Sequence, residues 1–178
     1  MLYARHGVTT AHEGATHLGD LEVMKRAAAG GATLIDVIAY PFITDLEKVL
    51  AAFPVADWGK YSKRLKIGGV KITIDGSPQG RTAAFTTPYL TGGPGGEKNW
   101  KGELFAPQAV INQGLKKVYG LGVPVTFHVN GYAAVDSLIK AHEFAAADDL
   151  TRDRNVTAIH AQAASAACVS LACWPSRT

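Results

Sequence analysis

The sequence is poor in several features that would mark particular protein classes. It has only two cysteines among 178 residues, Cys168 and Cys173, and both lie near the C-terminal end. Two thiols in such a place do not make the disulfide framework of a small secreted domain. There is also no apolar run of roughly 18 residues or more, the length needed to cross a bilayer, so we expect no membrane span.

The sequence also has little excess of one charge over the other. Lysine and arginine number 18 against 15 aspartates and glutamates, a formal net charge of +3, which is too small to indicate a nucleic-acid partner. The first residues lack the basic and then apolar layout of a secretory signal. We therefore expect a cytoplasmic protein whose partner is a small-molecule substrate, with no nucleic acid and no membrane as partners.

Apolar runs of strand length alternate with helical patterns along the chain. Spacings of three and four residues predict helices over 20–30, 44–53, 107–122 and 131–142, and Thr44 and Glu47 have the spacing of a capping box. Strand, helix, strand indicates a parallel α/β fold with right-handed crossovers, either a doubly wound sheet or a barrel. The five predicted strands are Val8–Gly14, Ala32–Tyr40, Ile67–Asp75, Val123–Asn130 and Val156–Ala161.

Two stretches depart from this alternation. Residues 77–103 show no hydrophobic period and hold a glycine- and proline-rich run at 92–96, so we expect a long loop directly after a strand. The densest basic stretch precedes that strand, and we interpret it as a solvated face; it consists of Lys60, Lys63, Arg64 and Lys66.

Polar side chains gather towards the ends of three successive strands. Alternation puts Lys71, Thr73 and Asp75 on one face of the third, while the fourth carries His128 and the fifth ends on His160. Barrel enzymes build their sites at the C-terminal ends of strands. Neighbouring strands are about 4.8 Å apart, so a lysine and two histidines can converge on one metal ion. Each also has a structural alternative, as a hydrogen-bonded strand-end histidine or a lysine reaching water.

These residues lie in segments that resemble the amidohydrolase-3 family, which contains N-substituted formamide deformylases, YtcJ-like proteins and exoenzyme regulatory proteins. The most specific match runs from Gly68 to Ser77 and continues at Gly80-Arg81-Thr82-Ala83-Ala84 and Pro88-Tyr89. Further blocks match in the correct order, and the likeness extends from about Tyr3 to Gln162; these blocks are Gly7-Val8-Thr9-Thr10, His128-Val129-Asn130-Gly131 and Ile159-His160-Ala161-Gln162.

The resemblance implies a TIM-like (β/α) barrel and hydrolysis of non-peptide C–N bonds, of amide or formamide type, with a divalent metal such as zinc. It implies that Lys71 carries a CO2-derived carbamate and binds metal together with His128 and His160. Lys71 is also expected to be catalytic, with Asp75 and Arg81 orienting substrate; the alternative for these two is to fix the long loop.

Departures from the family limit this expectation. Its His-x-His should precede Met1 and its eighth-strand aspartate should follow Gln162, while Asn130-Gly131-Tyr132 stands where the family has Asn-Gly-Asp. We expect residues 1–162 to form about five of eight β/α units, inactive in isolation. Residues 163–178 form an atypical tail, for which a reading-frame shift is our hypothesis.

Two alternatives remain open. The chain could be a non-catalytic barrel fragment or small-molecule-binding module, or a phosphate-binding barrel, although Gly76–Thr82 lacks the spacing and lysine of a phosphate loop. Unpaired strand edges at Val8–Gly14 and Val156–Ala161 also predict self-association.

Overall fold

A computed structural model of the chain describes residues 2–163, and within them five α-helices alternate with six strands. Short 3₁₀ helices cover Ile43–Asp45 and Val55–Asp57. The helices are α1 (Leu2–Arg5), α2 (Leu18–Ala29), α3 (Leu46–Ala52), α4 (Gln108–Leu121) and α5 (Tyr132–Ala145). The strands are β1 (Thr10–Thr16), β2 (Asp36–Pro41), β3 (Leu65–Ile67), β4 (Val70–Thr73), β5 (Val125–Val129) and β6 (Val156–His160).

The strands form two three-stranded sheets, in the orders β1-β2-β3 and β4-β5-β6. β2 pairs in parallel with both of its neighbours. In the second sheet Val70 donates to the carbonyl of Pro124 and Ile74 to that of His128. Both strands advance in the same direction between these bonds, so this pairing is parallel too. The predicted α/β fold with parallel sheets is confirmed, and five units of a barrel remain a prediction.

The predicted strand Ile67–Asp75 is wrong as a single element, because Gly68 and Gly69 divide it into β3 and β4. A Cβ atom on Gly68 would lie 2.6 Å from the Tyr40 ring, and one on Gly69 would overlap the carbonyl oxygen of Pro124. Only glycine lets the backbone pass so close to both neighbours. The segment therefore leaves β2 and continues beside β5.

The helix predicted from Thr44 also begins differently. A 3₁₀ turn covers Ile43–Asp45 and α3 starts at Leu46 with no side-chain cap, so the predicted capping box does not form. Asp45 instead accepts a hydrogen bond from the backbone N–H of Leu18 at 3.1 Å. It satisfies one of the free N–H groups at the start of α2, and contact with His17 at 2.9 Å lowers the pKa of its carboxyl.

The described chain divides into two compact units, each with its own apolar core. The first contains residues up to Ile72, with Leu121–Thr126 and Arg154–Val156, and its fully buried side chains include Leu21, Leu46 and Val49. The second contains Thr73–Gly120, Phe127–Asp153 and residues 157–163. Its core is formed by side chains of α4, β5 and α5, among them Leu115, Val118, Phe127 and Val129.

The remaining segments carry little regular structure. Between β4 and α4, where we predicted a long loop, there is neither helix nor strand from Ile74 to Pro107. Residues 164–178 fall outside the described residues, and with them nearly all of the predicted atypical tail. Among residues 2–163, no helix combines the length and apolar composition needed to span a bilayer.

The close approach at Gly69 predicts a stability effect. Replacing Gly69 by alanine should lower the free energy of unfolding by about 1–3 kcal/mol, since the methyl group must displace backbone. Gly120→Ala is the matched control, because this glycine lies inside α4 with nothing within 4 Å of the added carbon. We expect it to stabilise by about 0.5–1 kcal/mol. Urea unfolding measures both, and equal effects of the two substitutions would contradict the packing described here.

Candidate functional site

Two histidines meet in the second compact unit. His128 lies in β5 and His160 ends β6, and their ring centres are 4.5 Å apart with the planes at 70°. Two imidazoles that share a zinc ion through bonds of about 2 Å have ring centres roughly 5 Å apart. The pair is therefore close enough for a shared ion, and an edge-to-face packing contact has the same spacing.

Backbone geometry sets off His160 from the rest of its strand. Its φ is +75° and that of Ala161 is +43°. Residues other than glycine adopt such φ values at a cost of about 1–3 kcal/mol. Hydrogen bonds hold the segment in place: Ala161 donates to the carbonyl of Val129 and Ala163 to that of Asn130. The imidazole of His160 is thus carried on a constrained turn.

The carbonyl of Gly76 orients the other imidazole. It accepts from Asn130 Nδ2 at 2.9 Å and lies 3.1 Å from His128 Nε2. A carbonyl can only accept, so this contact suits a proton on Nε2, whereas Asn130 Nδ2, an amide donor 3.1 Å from the same atom, suits a lone pair there. The first tautomer leaves the lone pair of Nδ1 for an ion. Metal-binding histidines commonly donate their second ring N–H to a backbone carbonyl in this way. Sequence reasoning missed Gly76 and Asn130 in this role, since a backbone carbonyl has no sequence signal.

Asp75, which we predicted to orient substrate, is fully buried and binds backbone. Its Oδ1 accepts from the N–H of Asn130 at 2.9 Å, and its Oδ2 from those of Ala84 and Gly131 at 2.9 and 2.8 Å. Three N–H donors compensate the charge that burial would otherwise make costly. These contacts fit the alternative role considered for Asp75, which is to fix the long loop.

Arg81, the other residue predicted to orient substrate, also contacts the long loop. Its Nη1 donates to the carbonyls of Thr91 and Gly92 at 3.3 and 3.4 Å, and its own carbonyl accepts from Trp100 Nε1. Its φ of +56° lies in the left-handed region. The residue therefore links one part of the loop to two others.

Lys71 belongs to the first compact unit and is only 4% exposed on β4. Burial lowers the pKa of its ammonium from 10.5 to about 8, because a charged group loses hydration there. A substantial share of the amine is then neutral at physiological pH. Neutral lysine is the form that reacts with carbon dioxide, so the environment suits the predicted carbamate.

His12 and Tyr40 lie in the same unit as Lys71. Their ring centres are 4.4 Å apart. Partial burial, followed by the positive charge of Lys71, lowers the pKa of His12, and burial raises the pKa of Tyr40, which bonds to Thr126. In the sequence, only the position of His12 near the end of the predicted strand Val8–Gly14 pointed to these residues.

The donor set for a metal is incomplete within the described residues. Among residues 2–163, no group of three or more His, Cys, Asp and Glu side chains is arranged to hold an ion. His128 and His160 fit two positions of a zinc or related site, which takes imidazole readily. Catalytic zinc sites have three protein ligands, so these two histidines are only part of such a set.

Comparison with known proteins places this arrangement in a family. A model of the amidohydrolase family matches residues 2–170. The chain belongs to the amidohydrolase family. The family resemblance predicted from sequence is confirmed, and among curated proteins none matches this amidohydrolase chain.

Two solved structures resemble this chain, and both are described as uncharacterized metal-dependent hydrolases. One comes from Pyrococcus horikoshii OT3, with 26% identity, a TM-score of 0.63 and 80% of this chain covered. The other is from Pyrococcus furiosus, with 28% identity, a TM-score of 0.64 and 81% covered. The chain spans less than a third of either protein, 28% and 29% of their lengths.

Tyr132 stands where the resemblance led us to expect an aspartate. Its hydroxyl contacts the backbone N–H and the hydroxyl of Thr87, and its ring lies 5.0 Å from that of Phe85. Hydrogen bonds with Thr86 and Thr87 lower the pKa of this phenol. Tyr132 is thus bound to the long loop.

The buried ammonium of Lys71 predicts a pH-dependent stability. Below about pH 8 the lysine is charged in both states, and the folded protein bears the full cost of burial. Between about pH 8 and 10.5 the unfolded chain binds more protons, so stability rises with pH through this window. In bicarbonate- and metal-free buffer, Lys71→Met should raise the free energy of unfolding at pH 7 by about 2–3 kcal/mol and remove that rise.

Lys140→Met is the control for this measurement, since Lys140 is an exposed residue of α5. Urea unfolding across the pH range compares both variants with the unmodified chain. A Lys71→Met variant with the same pH profile as the unmodified chain would show that the amine is not desolvated.

Asp75 should prove structurally indispensable. In Asp75→Asn an amide N–H faces backbone donors, so at least one of them loses its acceptor, at a cost of about 1–3 kcal/mol for each buried group. Asp57→Asn changes an exposed carboxylate in the same way and should have little effect. Urea midpoints at pH 7 distinguish them, and a stable Asp75→Asn protein with altered ligand binding would instead favour a substrate-orienting role.

Proposed function

We propose that this chain is part of a metal-dependent amidohydrolase that cleaves non-peptide C–N bonds of amide or formamide type, with a divalent ion, zinc foremost, at His128 and His160. The observation that carries the proposal is the imidazole pair, one member of which is oriented by a backbone carbonyl. Family membership supports it, as does the likeness to two proteins described as metal-dependent hydrolases. The whole fold in this proposal is a (β/α) barrel.

In this proposal His128 offers Nδ1 as ligand, in the tautomer whose Nε2 proton points to the Gly76 carbonyl. His160 provides the second imidazole. When bound, the ion supplies a Lewis acid that polarises a substrate carbonyl and acidifies water. The chain's own part is to keep both rings fixed before the ion arrives, which lowers the entropic cost of binding.

Lys71 provides the remaining donor through carbamylation. Its neutral amine attacks the carbon of CO2, an N–C bond forms as one C=O π bond opens onto oxygen, and one proton leaves to solvent, so that the neutral amine becomes an anionic carbamate. The low pKa caused by burial supports this step, and an anionic oxygen donor suits a dication as a carboxylate does. Lys71 lies on β4, the strand next to β5 in the sheet order.

Asp75 and Arg81 act here as positioning residues. Both carboxylate oxygens of Asp75 already accept backbone hydrogen bonds, and Arg81 donates to loop carbonyls. Their contribution to catalysis is to fix the loop and the turn after β5, on which the substrate would rest.

The second candidate is a non-catalytic barrel fragment or small-molecule-binding module. The incomplete donor set within residues 2–163 favours it, and we expect little turnover from this chain alone. Self-association accompanies either candidate in our proposal, because β1 and β6 stand at the ends of their sheets and the residues of β6 are mostly exposed. Such edges offer unpaired backbone groups to another copy.

Metal binding tests the imidazole pair. We expect the chain to bind one equivalent of zinc, and His128→Ala or His160→Ala to weaken binding by at least about tenfold. His6→Ala removes an exposed histidine and serves as the matched control. Competition titration with a chromogenic chelator gives the affinities. Equal affinity for all four proteins would exclude the pair as the metal site.

Turnover separates hydrolase from binding module. We expect at most a trace of amine release from N-formyl and N-acyl amines by the zinc-loaded chain in bicarbonate buffer, and none from Lys71→Ala and His128→Ala. The reason is that the proposed reaction needs both the ion and its anionic donor. Zinc binding without any difference in amine release between these proteins would support the non-catalytic module.

A further inference from the structure

A cavity lies within the first compact unit, which does not contain the histidine pair. It has a volume of about 500 Å³ and opens between α2, α3 and the segment that leads into β3. Its floor is apolar, since Leu21, Ala28, Trp58 and Ile67 are all at least nine-tenths buried. Small-molecule sites have volumes of about 300–1,000 Å³ and mostly apolar linings.

Four ammonium groups surround this floor, opposed by the single carboxylate of Asp57. They belong to Lys25, Lys60, Lys63 and Lys66, three of which come from the basic stretch that we interpreted as a solvated face. Within the described residues, none of the four forms an ion pair. The cavity therefore combines an apolar floor with an excess of positive charge.

Two of these ammonium groups are anchored by backbone carbonyls. Lys60 Nζ donates to Ala56 at 2.8 Å, and Lys63 Nζ to Ala29, at the end of α2, at 3.1 Å. A carbonyl uses one of the three N–H donors and neutralises no charge. Both side chains are thus held at the cavity while keeping donors for an anion.

The other two ammonium groups lie over aromatic rings of the same cavity. Lys25 Nζ is 4.8 Å from the centre of the Phe53 ring, and Lys66 Nζ is 4.7 Å from that of Tyr61. Such contacts hold a cation without cancelling its charge. The rings also add flat apolar walls beside the indole of Trp58.

A constrained turn carries one of the anchored lysines. Ser62 and Leu65 exchange both backbone hydrogen bonds across Lys63 and Arg64, whose φ values are +47° and +70°. Two-residue turns of this kind favour Asn-Gly rather than two long basic side chains. The basic residues therefore occupy positions that turn chemistry alone does not select.

We propose that this cavity binds a small organic monoanion with a flat apolar body, an aromatic carboxylate. The rings and apolar floor receive the body, and the lysine ammonium groups receive the carboxylate. A polyanion such as phosphate would use the charge and leave the apolar floor unfilled. The site rests on the cavity alone and does not depend on the proposed hydrolase function.

Calorimetric titration of the metal-free chain with 2-naphthoate tests this, with 2-naphthamide as the neutral probe of the same shape. We expect naphthoate to bind at least about tenfold more tightly than naphthamide, and more weakly as salt is raised. The double variant Lys25→Ala/Lys66→Ala should lose about tenfold in naphthoate affinity, because it removes two of the charges that receive the carboxylate.

Lys116→Ala is the matched control, since Lys116 Nζ lies 5.5 Å from the Phe144 ring in another part of the chain. We expect it, and His128→Ala, to leave naphthoate affinity unchanged. Equal binding of both probes, no binding of naphthoate, or an equal loss in Lys116→Ala would overturn the proposal. The comparison of the two probes on the unmodified chain decides the question even if the double variant does not fold.

Discussion

The candidate site depends on one buried carboxylate. Asp75 accepts backbone hydrogen bonds from Ala84 in the long loop and from Asn130 and Gly131, which connect β5 to α5. A charge with no exposure to water is tolerated only when such donors replace its hydration. The carboxylate therefore determines where the strand bearing His128 ends, where α5 begins and where the loop returns.

The orientation of the imidazole pair follows from that anchor. Gly76 comes directly after Asp75, and its carbonyl bonds to His128 and Asn130. A side chain at Gly76 would overlap Thr82, and one at Gly131 would overlap the Ala84 carbonyl. Backbone groups rather than long side chains thus fix the ring, and a backbone scaffold costs little entropy when a ligand binds.

Hydrophobic spacing and the order of strands and helices in the sequence were sufficient to predict the parallel α/β fold. They also predicted that His128 and His160 lie close together, because successive parallel strands end at the same edge of a sheet. Alternation placed Lys71 on the polar face of its strand, whereas its burial is a finding of the structure. The break at Gly68 was beyond reach, since it depends on the distant Tyr40 ring. So was the role of Asp75, whose partners are backbone groups without a sequence signature.

The central claim is that His128 and His160 together bind a metal ion. X-ray absorption at the zinc edge of the loaded chain examines the ligands directly. We expect nitrogen scatterers at about 2.0–2.1 Å with the outer-shell pattern of two imidazoles, reduced to one in either histidine-to-alanine variant. A first shell of oxygen alone, unchanged by both substitutions, would contradict the claim.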